Sequence, residues 1–214
     1  MRSLRLLGLA LAGALAACSP DAAPVTGAPA AGRAPGGVPG TVTAAAAPVC
    51  IEFGPPPPLG TVWGVPVGTP PGAWIFTENG VPVFIDRFFF PGPVAAYDYA
   101  RIATSPVPIG SGQHAYLQKV SLRFDFSNVG FPISSVTWEW YEPTAGSVVN
   151  MQADGGALYI GNITAPAFVS GRPYSVGWTA AGTGRKGQSK IGAPVRVVKI
   201  GGEKIWIDRV CANP

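Results

Sequence analysis

Three cysteines, a single histidine and one cluster of basic residues are the side chains best suited to specific chemistry in this sequence of 214 residues. The lone histidine is His114, in Ser111-Gly112-Gln113-His114. A Ser-His-Asp triad, a Cys-His pair or a multi-histidine metal site therefore has little to build on within the chain, and His114 is expected to be a surface or hydrogen-bond-satisfied residue. No Gly-x-Ser-x-Gly motif and no glycine-rich phosphate loop opening a helix occurs. Glycoside hydrolysis needs only two carboxyl groups. The nearest pair, Glu139 and Glu142, has an odd spacing that turns the two side chains to opposite faces of a strand. No residue is assigned a catalytic role, and neither a metal nor a cofactor is expected. The remaining chemistry is binding. Arg185, Lys186, Lys190, Arg196 and Lys199 follow one another without an intervening acid. Gly182, Gly184, Gly187 and Gly192 lie around the first three, so Ala180 to Pro194 reads as a long mobile loop. Arg185, Lys186 and Lys190 form a candidate site for an anionic glycan or lipid phosphate, with a solvated, unliganded loop as the alternative. Trp138 and Trp140 offer an aromatic platform but share the phase of Val136, which favours core packing. Phe84, Phe88 and Phe90 share a face with Asp86, which reads as a central strand with a hydrogen-bonded acid or as a site with one polar anchor.

The N-terminus supplies the address. Arg2 and Arg5 precede an apolar run from Leu6 to Ala17, of a length suited to secretion and too short to span a bilayer. Leu15-Ala16-Ala17-Cys18 resembles the lipobox of bacterial lipoproteins. The resemblance implies cleavage between Ala17 and Cys18, diacylglycerol on the Cys18 sulfur and acylation of the new amino group. Several acyl chains on one residue anchor a protein stably, whereas one chain binds marginally. Ser19 after the cysteine resembles the outer-membrane sorting pattern. A simple secretory signal with an incidental cysteine is the other reading.

Residues 18–48 are almost entirely Ala, Pro, Gly, Val and Thr, with Asp21 and Arg33 the only charges, a composition that cannot offset its ordering entropy. A disordered tether is expected there, followed by a domain over 49–214 that holds every Trp, Tyr and Phe of the chain. The basic pI near 9.1 fades once the signal and tether are set aside. The domain carries twelve basic against ten acidic residues, too weak a field to imply a nucleic-acid partner. With Cys18 assigned to lipid, Cys50 and Cys211 bracket the domain, and in an oxidising compartment they read as a disulfide, two buried thiols being the alternative. If the two cysteines face each other on adjacent antiparallel strands, Glu52 lies opposite Arg209 and Phe53 opposite Asp208.

Strand signals recur through the domain. Val120 to Phe126 alternates apolar and polar residues, and Val136, Trp138 and Trp140 alternate within Ser135 to Tyr141. Val148 to Met151 and Ala157 to Ile160 are shorter candidates, and Val83 to Phe90 reads as a strand covered on both faces. Val195 to Ile200 and Lys204 to Cys211 flank Gly201-Gly202, which reads as a tight hairpin turn. Short strands between Gly/Pro turns define an all-β antiparallel sandwich. Val49 to Gly54, Val120 to Phe126 and Gly201 to Cys211, with its phrase Ile207-Asp208-Arg209-Val210, are similar to exported jelly-roll domains of galactose-binding-like fold, which many carbohydrate-binding modules share. That resemblance implies glycan recognition, and a structural calcium in some such modules near the positions of Glu52 and Asp208, although Glu52 precedes rather than follows Phe53. The expected protein is a non-catalytic outer-membrane lipoprotein whose partners are the membrane and a glycan or other envelope component. A structural lipoprotein docking on proteins, or a carboxylate-dependent glycoside hydrolase, are the alternatives.

Overall fold

The computed structural model describes residues 46–92 and 94–214. The expected signal peptide, Cys18 and nearly all of the tether lie outside the described residues. Two antiparallel sheets pack face to face as a β-sandwich. The strands run β1 (Val49–Ile51), β2 (Val62–Gly64), β3 (Trp74–Glu78), β4 (Val81–Phe90), β5 (Val94–Ala96), β6 (Tyr99–Ala103), β7 (His114–Gln118) and β8 (Val120–Asp125). They continue with β9 (Ser135–Glu142), β10 (Val148–Ala153), β11 (Tyr159–Asn162), β12 (Phe168–Val169), β13 (Arg172–Ala181), β14 (Gly184–Gly192), β15 (Val197–Gly202) and β16 (Ile205–Asn213). The larger sheet has the order β12-β13-β14-β9-β16-β7-β6-β2, and the smaller one β11-β10-β15-β8-β4-β3. β5 pairs with the end of β4, and β1 with the end of β16.

Alternation places the core. Trp138 and Trp140 of β9, Ile205 and Ile207 of β16 and Leu117 of β7 face Val83 and Ile85 of β4, Leu122 and Phe124 of β8 and Met151 of β10, all fully buried. Each large apolar side chain removed from water contributes about 1.5–3 kcal/mol, so these rows hold the sheets together. The aromatic pair in β9 is core, as its phase indicates. Trp140 also donates Nε1–H to Ser189 Oγ at 3.0 Å, and Tyr174 ties Ser189 at 2.7 Å to the Ile163 carbonyl at 2.8 Å.

Four local expectations are corrected. Ala180 to Pro194 is not a long loop: β13 and β14 form a hairpin turning at Gly182-Thr183, and β14 also pairs with β9. The Gly201-Gly202 pair lies inside β15, and the chain turns at Glu203-Lys204 instead. Val83 to Phe90 is not covered on both faces, because Phe84 and Asp86 are only half-buried and Arg87 is exposed. Its buried phase changes after Ile85: Phe88 is buried outside the main core, beside Phe90 at 5.0 Å. The fourth correction concerns the chain ends. Cys50 and Cys211 are bonded, with S–S 2.06 Å and Cα–Cα 4.0 Å, the latter below the usual range of about 4.4–6.8 Å. Val49, Cys50 and Ile51 pair with Ala212, Cys211 and Val210 as expected, but the ladder stops there. Glu78 is the reason. Its carboxylate accepts from Glu52 N at 3.0 Å and Phe53 N at 3.1 Å, and Phe53, with φ 53°, turns into the core rather than lying opposite Asp208.

Candidate functional site

Register assembles the outer face of the larger sheet into rows of side chains. One row runs Asp208, Glu139, Gln188 and Gly177 across β16, β9, β14 and β13, and His114 of β7, paired with Ala103 of β6, lies beside it with Nε2 3.9 Å from Asp208 Oδ2. The next runs Cys50, Cys211, Thr137, Lys190 and Ser175. β16 changes neighbour between the two rows, from β7 to β1, through a bulge at Asp208–Cys211 in which Arg209 adopts φ 46°.

The segment between β6 and β7 is strapped down over the first row. Ser111 N donates to Asp208 Oδ2 at 2.6 Å and Gly110 N donates to Glu139 Oε2 at 2.7 Å. Lys186 Nζ donates to the Pro108 carbonyl at 3.3 Å. His114 completes the strap: Ser105 N donates to its Nδ1 at 3.0 Å, and its Nε2 lies 2.7 Å from the Ile109 carbonyl. With Nδ1 accepting from a backbone N–H, Nε2 is the nitrogen that donates, to the Ile109 carbonyl. Both nitrogens are engaged by backbone, so the lone histidine is a tie within the strap. Gly110 is required beneath it, because a Cβ there would fall 1.8 Å from Asp208 Oδ2.

Asp208 is fully buried, and its Oδ1 has no partner. Burial pushes its carboxyl up to about 6, opposed by hydrogen bonds from Ser111 N and Arg209 N and reinforced by the Glu139 charge. Its ladder partner Glu139 is partly exposed and lies 3.4 Å from Arg209 Nη1. Arg209 also approaches Glu52 at 3.8 Å beside the disulfide, although the ladder between their strands ends at Ile51. Arg209 thus bridges two acids. Glu52 and Asp208 are drawn to different partners, and among the described residues no three His, Cys, Asp or Glu side chains form a group suited to a metal ion.

Beside the strap, a furrow runs along β9 and β14. Its upper part, about 390 Å³, lies between Pro108 and Ile109 of the strap and Lys186, Gln188 and Thr179. A middle part of about 320 Å³ is lined by Thr137, Ser175 and Lys190. The lower part, about 490 Å³, reaches Arg209, Asn213 and the disulfide. Gln188 lines all three, so they adjoin along β14 and together form the trough. Its lining is mixed: hydroxyls, two amides, two lysines, one arginine, one carboxylate, apolar surface at Pro108 and Ile109, and backbone exposed at Gly177 and Gly187.

The three basic residues singled out in the sequence divide between the faces of β14. Lys186 and Lys190 point into the trough. Arg185 points the other way, ion-paired through Nε with the fully buried Glu142, and donates to Thr164 Oγ1 at 3.1 Å and Asn162 Oδ1 at 3.0 Å. Its guanidinium lies 5.1 Å from the Trp178 ring. Burial pushes the Glu142 carboxyl up and Arg185 opposes it. Arg185 is therefore a structural counter-ion, and Glu139 and Glu142 do turn to opposite faces. Sequence reasoning missed Thr137, Ser175, Gln188, Arg209 and Asn213 as trough residues, since only register brings them together. No protein-family model, curated protein or solved structure matches this chain.

Proposed function

We propose that this chain is a lipid-anchored, non-catalytic binding protein of the bacterial outer membrane, tethered through Cys18 and residues 18–48, whose β-sandwich holds a glycan chain in the trough on its larger sheet. The observation that carries the reading is the trough itself: an open surface furrow whose walls combine hydroxyl, amide, ammonium and guanidinium groups with apolar surface at Pro108 and Ile109 and with backbone left bare by glycines. Sugars present many hydroxyls along an extended chain, and such a chain is matched by many modest hydrogen bonds rather than by one deep pocket. The disulfide between the terminal strands supports the exported address. Lys190 is exposed and has no acid partner among the described residues, so an anionic group on the glycan adds to the binding.

The test is a glycan array probed with the full chain, beside Gln188→Ala and Lys190→Ser. The expected result is a set of bound glycans lost in Gln188→Ala and weakened in Lys190→Ser, with affinity falling as salt rises. An array on which neither substitution changes any bound glycan removes the trough from consideration. The anchor is tested separately: Cys18→Ala is expected to move the protein out of the membrane fraction, and retention there would place the attachment elsewhere.

A further inference from the structure

β13 closes one side of the larger sheet, and most of its outer edge is bare. β12 covers only its first residues, pairing Phe168 with Pro173 and Val169 with Arg172. Backbone direction along the rest follows from two fixed points. Tyr174 N donates to the Ala167 carbonyl at 2.9 Å, on the side away from β14. A Cβ placed on Gly187 of β14 would fall 2.2 Å from the Gly177 carbonyl oxygen, so Gly177 faces β14. Antiparallel strands alternate inward and outward pairs. The N–H and C=O groups of Val176, Trp178 and Ala180 therefore point off the sheet, and no other described strand pairs with them.

Exposed edges of this kind template the addition of another strand, and proteins usually protect them with lysines, proline or bulges. None is present here. From Pro173 to Gly184 there is no charged residue, and no proline follows Pro173. The flanking charges are already committed, Arg172 to Asp154 and Arg185 to Glu142. The side chains add to the pattern: Trp178 is 49% exposed and Phe168, beside the edge, 62%.

We propose that this edge is the dimer interface, where β13 pairs antiparallel with β13 of a second copy of this chain about a twofold axis through Trp178. An isologous contact requires a self-complementary surface, and the register centred on Trp178 provides one. Val176 pairs with Ala180 of the second copy, Trp178 with its own counterpart, and Ala180 with Val176. Every outward N–H and C=O of the three residues then finds a partner. The neutrality of the run is what allows identical copies to meet, because no like charges are brought opposite each other. The two indoles lie side by side at the centre, an arrangement that adds aromatic contact to the ladder. Pairing ends where the chain provides its own stops, at β12 on one side and the Gly182-Thr183 turn on the other.

Directly opposite residues of antiparallel strands present their side chains to the same face, so dimerisation joins the two larger sheets with their outer faces on one side. Gly177 and Thr179 belong to the trough wall. Two troughs would then lie next to each other on one continuous sheet, and a polymeric glycan could engage both. That consequence rests on the glycan reading. The dimer does not, and its test reads mass alone.

The test is sedimentation equilibrium of the full chain in density-matched detergent, from dilute solution to near the solubility limit. The wild type is expected to reach twice the monomer mass. Ala180→Pro removes one outward N–H and leaves the bonds to β14 in place. Trp178→Lys sets two ammonium groups opposite each other and leaves the backbone intact. Each is expected to halve the mass with an unchanged near-ultraviolet circular dichroism spectrum, and if one fails to fold the other decides. A wild type that stays monomeric throughout overturns the proposal and leaves the edge to a strand of another protein. A dimer that survives a folded variant also overturns it, since two chains sharing a micelle through their N-termini would be blind to both substitutions.

Discussion

Arg185 and Lys186 are neighbours in the sequence and sit on opposite faces of β14, so substitutions at the two should have unrelated effects. Arg185 is the counter-ion of a carboxylate with no exposure to water. Removing one member of a buried pair strands the other, at a cost of about 3–5 kcal/mol. Arg185→Ala should therefore lower the urea midpoint sharply, whereas Lys186→Ser and Lys190→Ser should leave it within about 0.5 kcal/mol, as for other surface changes. Equal midpoints for Arg185→Ala and Lys190→Ser would show that the Glu142 pair contributes nothing. Asp208 makes a second residue-scale prediction, in which sign matters. Its folded-state pKa of about 6 lies above the ordinary 3.8, so its neutral form favours the fold. That contribution is complete below about pH 4 and is lost as pH rises through 6, amounting to roughly 2–3 kcal/mol at about 1.4 kcal/mol per unit. Asp208→Asn should remove this part of the pH dependence. Denaturation curves at intervals from pH 4 to pH 7 check it, and parallel profiles for both proteins would show that Asp208 does not titrate in this window.

At the scale of elements, the strap between β6 and β7 depends on one position. Gly110 has φ 49°, and its missing side chain makes room for Asp208. Gly110→Ala would meet backbone strain of about 1–3 kcal/mol in addition to the collision. The strap should detach while the sandwich survives, since none of its hydrogen bonds belongs to the β-ladders. Hydrogen exchange at Gly110 and Ser111 should accelerate with the amides of β8 and β9 unchanged, and slow exchange at Ser111 in the variant would mean that other contacts hold the strap. The same contrast separates what was legible in the sequence from what was not. β8 and β9 announce themselves because Val120, Leu122 and Phe124, and Val136, Trp138 and Trp140, alternate with polar residues over a half-covered sheet. β13 and β14 do not, because Gly184 and Gly187 of β14 serve close approach rather than turning. A Cβ on Gly187 would fall 2.9 Å from the Trp140 ring, and one on Gly201 of β15 would fall 2.1 Å from Ser121 Oγ. Glycine chosen for proximity looks, in one dimension, like glycine chosen for a loop. The trough was half legible for a related reason. Lys186 and Lys190 stand out as charges, but Thr137, Gln188 and Arg209 lie on three strands and meet only through register.

Across the whole molecule, the disulfide joins the first strand of the domain to its last, closing a sequence separation of 161 residues. A loop of that size confers roughly 4–5 kcal/mol in the chain-entropy account. Other restraints on β1 are local. It pairs three residues with β16, and its end is held by Glu78 and by Asn79 Nδ2, which donates to the Cys50 carbonyl at 2.8 Å. The apolar anchors are Ile51 and Phe53, both fully buried, worth about 1.5–3 kcal/mol each. Those anchors are of the same size as the cross-link, so β1 should stay docked when the bond is cut, and the loss should appear in global stability. Cys50→Ala/Cys211→Ala is expected to unfold in one transition at a lower urea midpoint, with amides of β1 still protected under native conditions. Ligand affinity provides an independent readout, because Cys50 and Cys211 line the lower trough. If β1 stays in place, the double variant should bind glycan within a few-fold of the wild type. Free exchange of the β1 amides together with lost binding would mean that the disulfide, rather than Ile51 and Phe53, holds the strand. An unchanged midpoint would mean that the cross-link adds nothing to a fold already closed by its core.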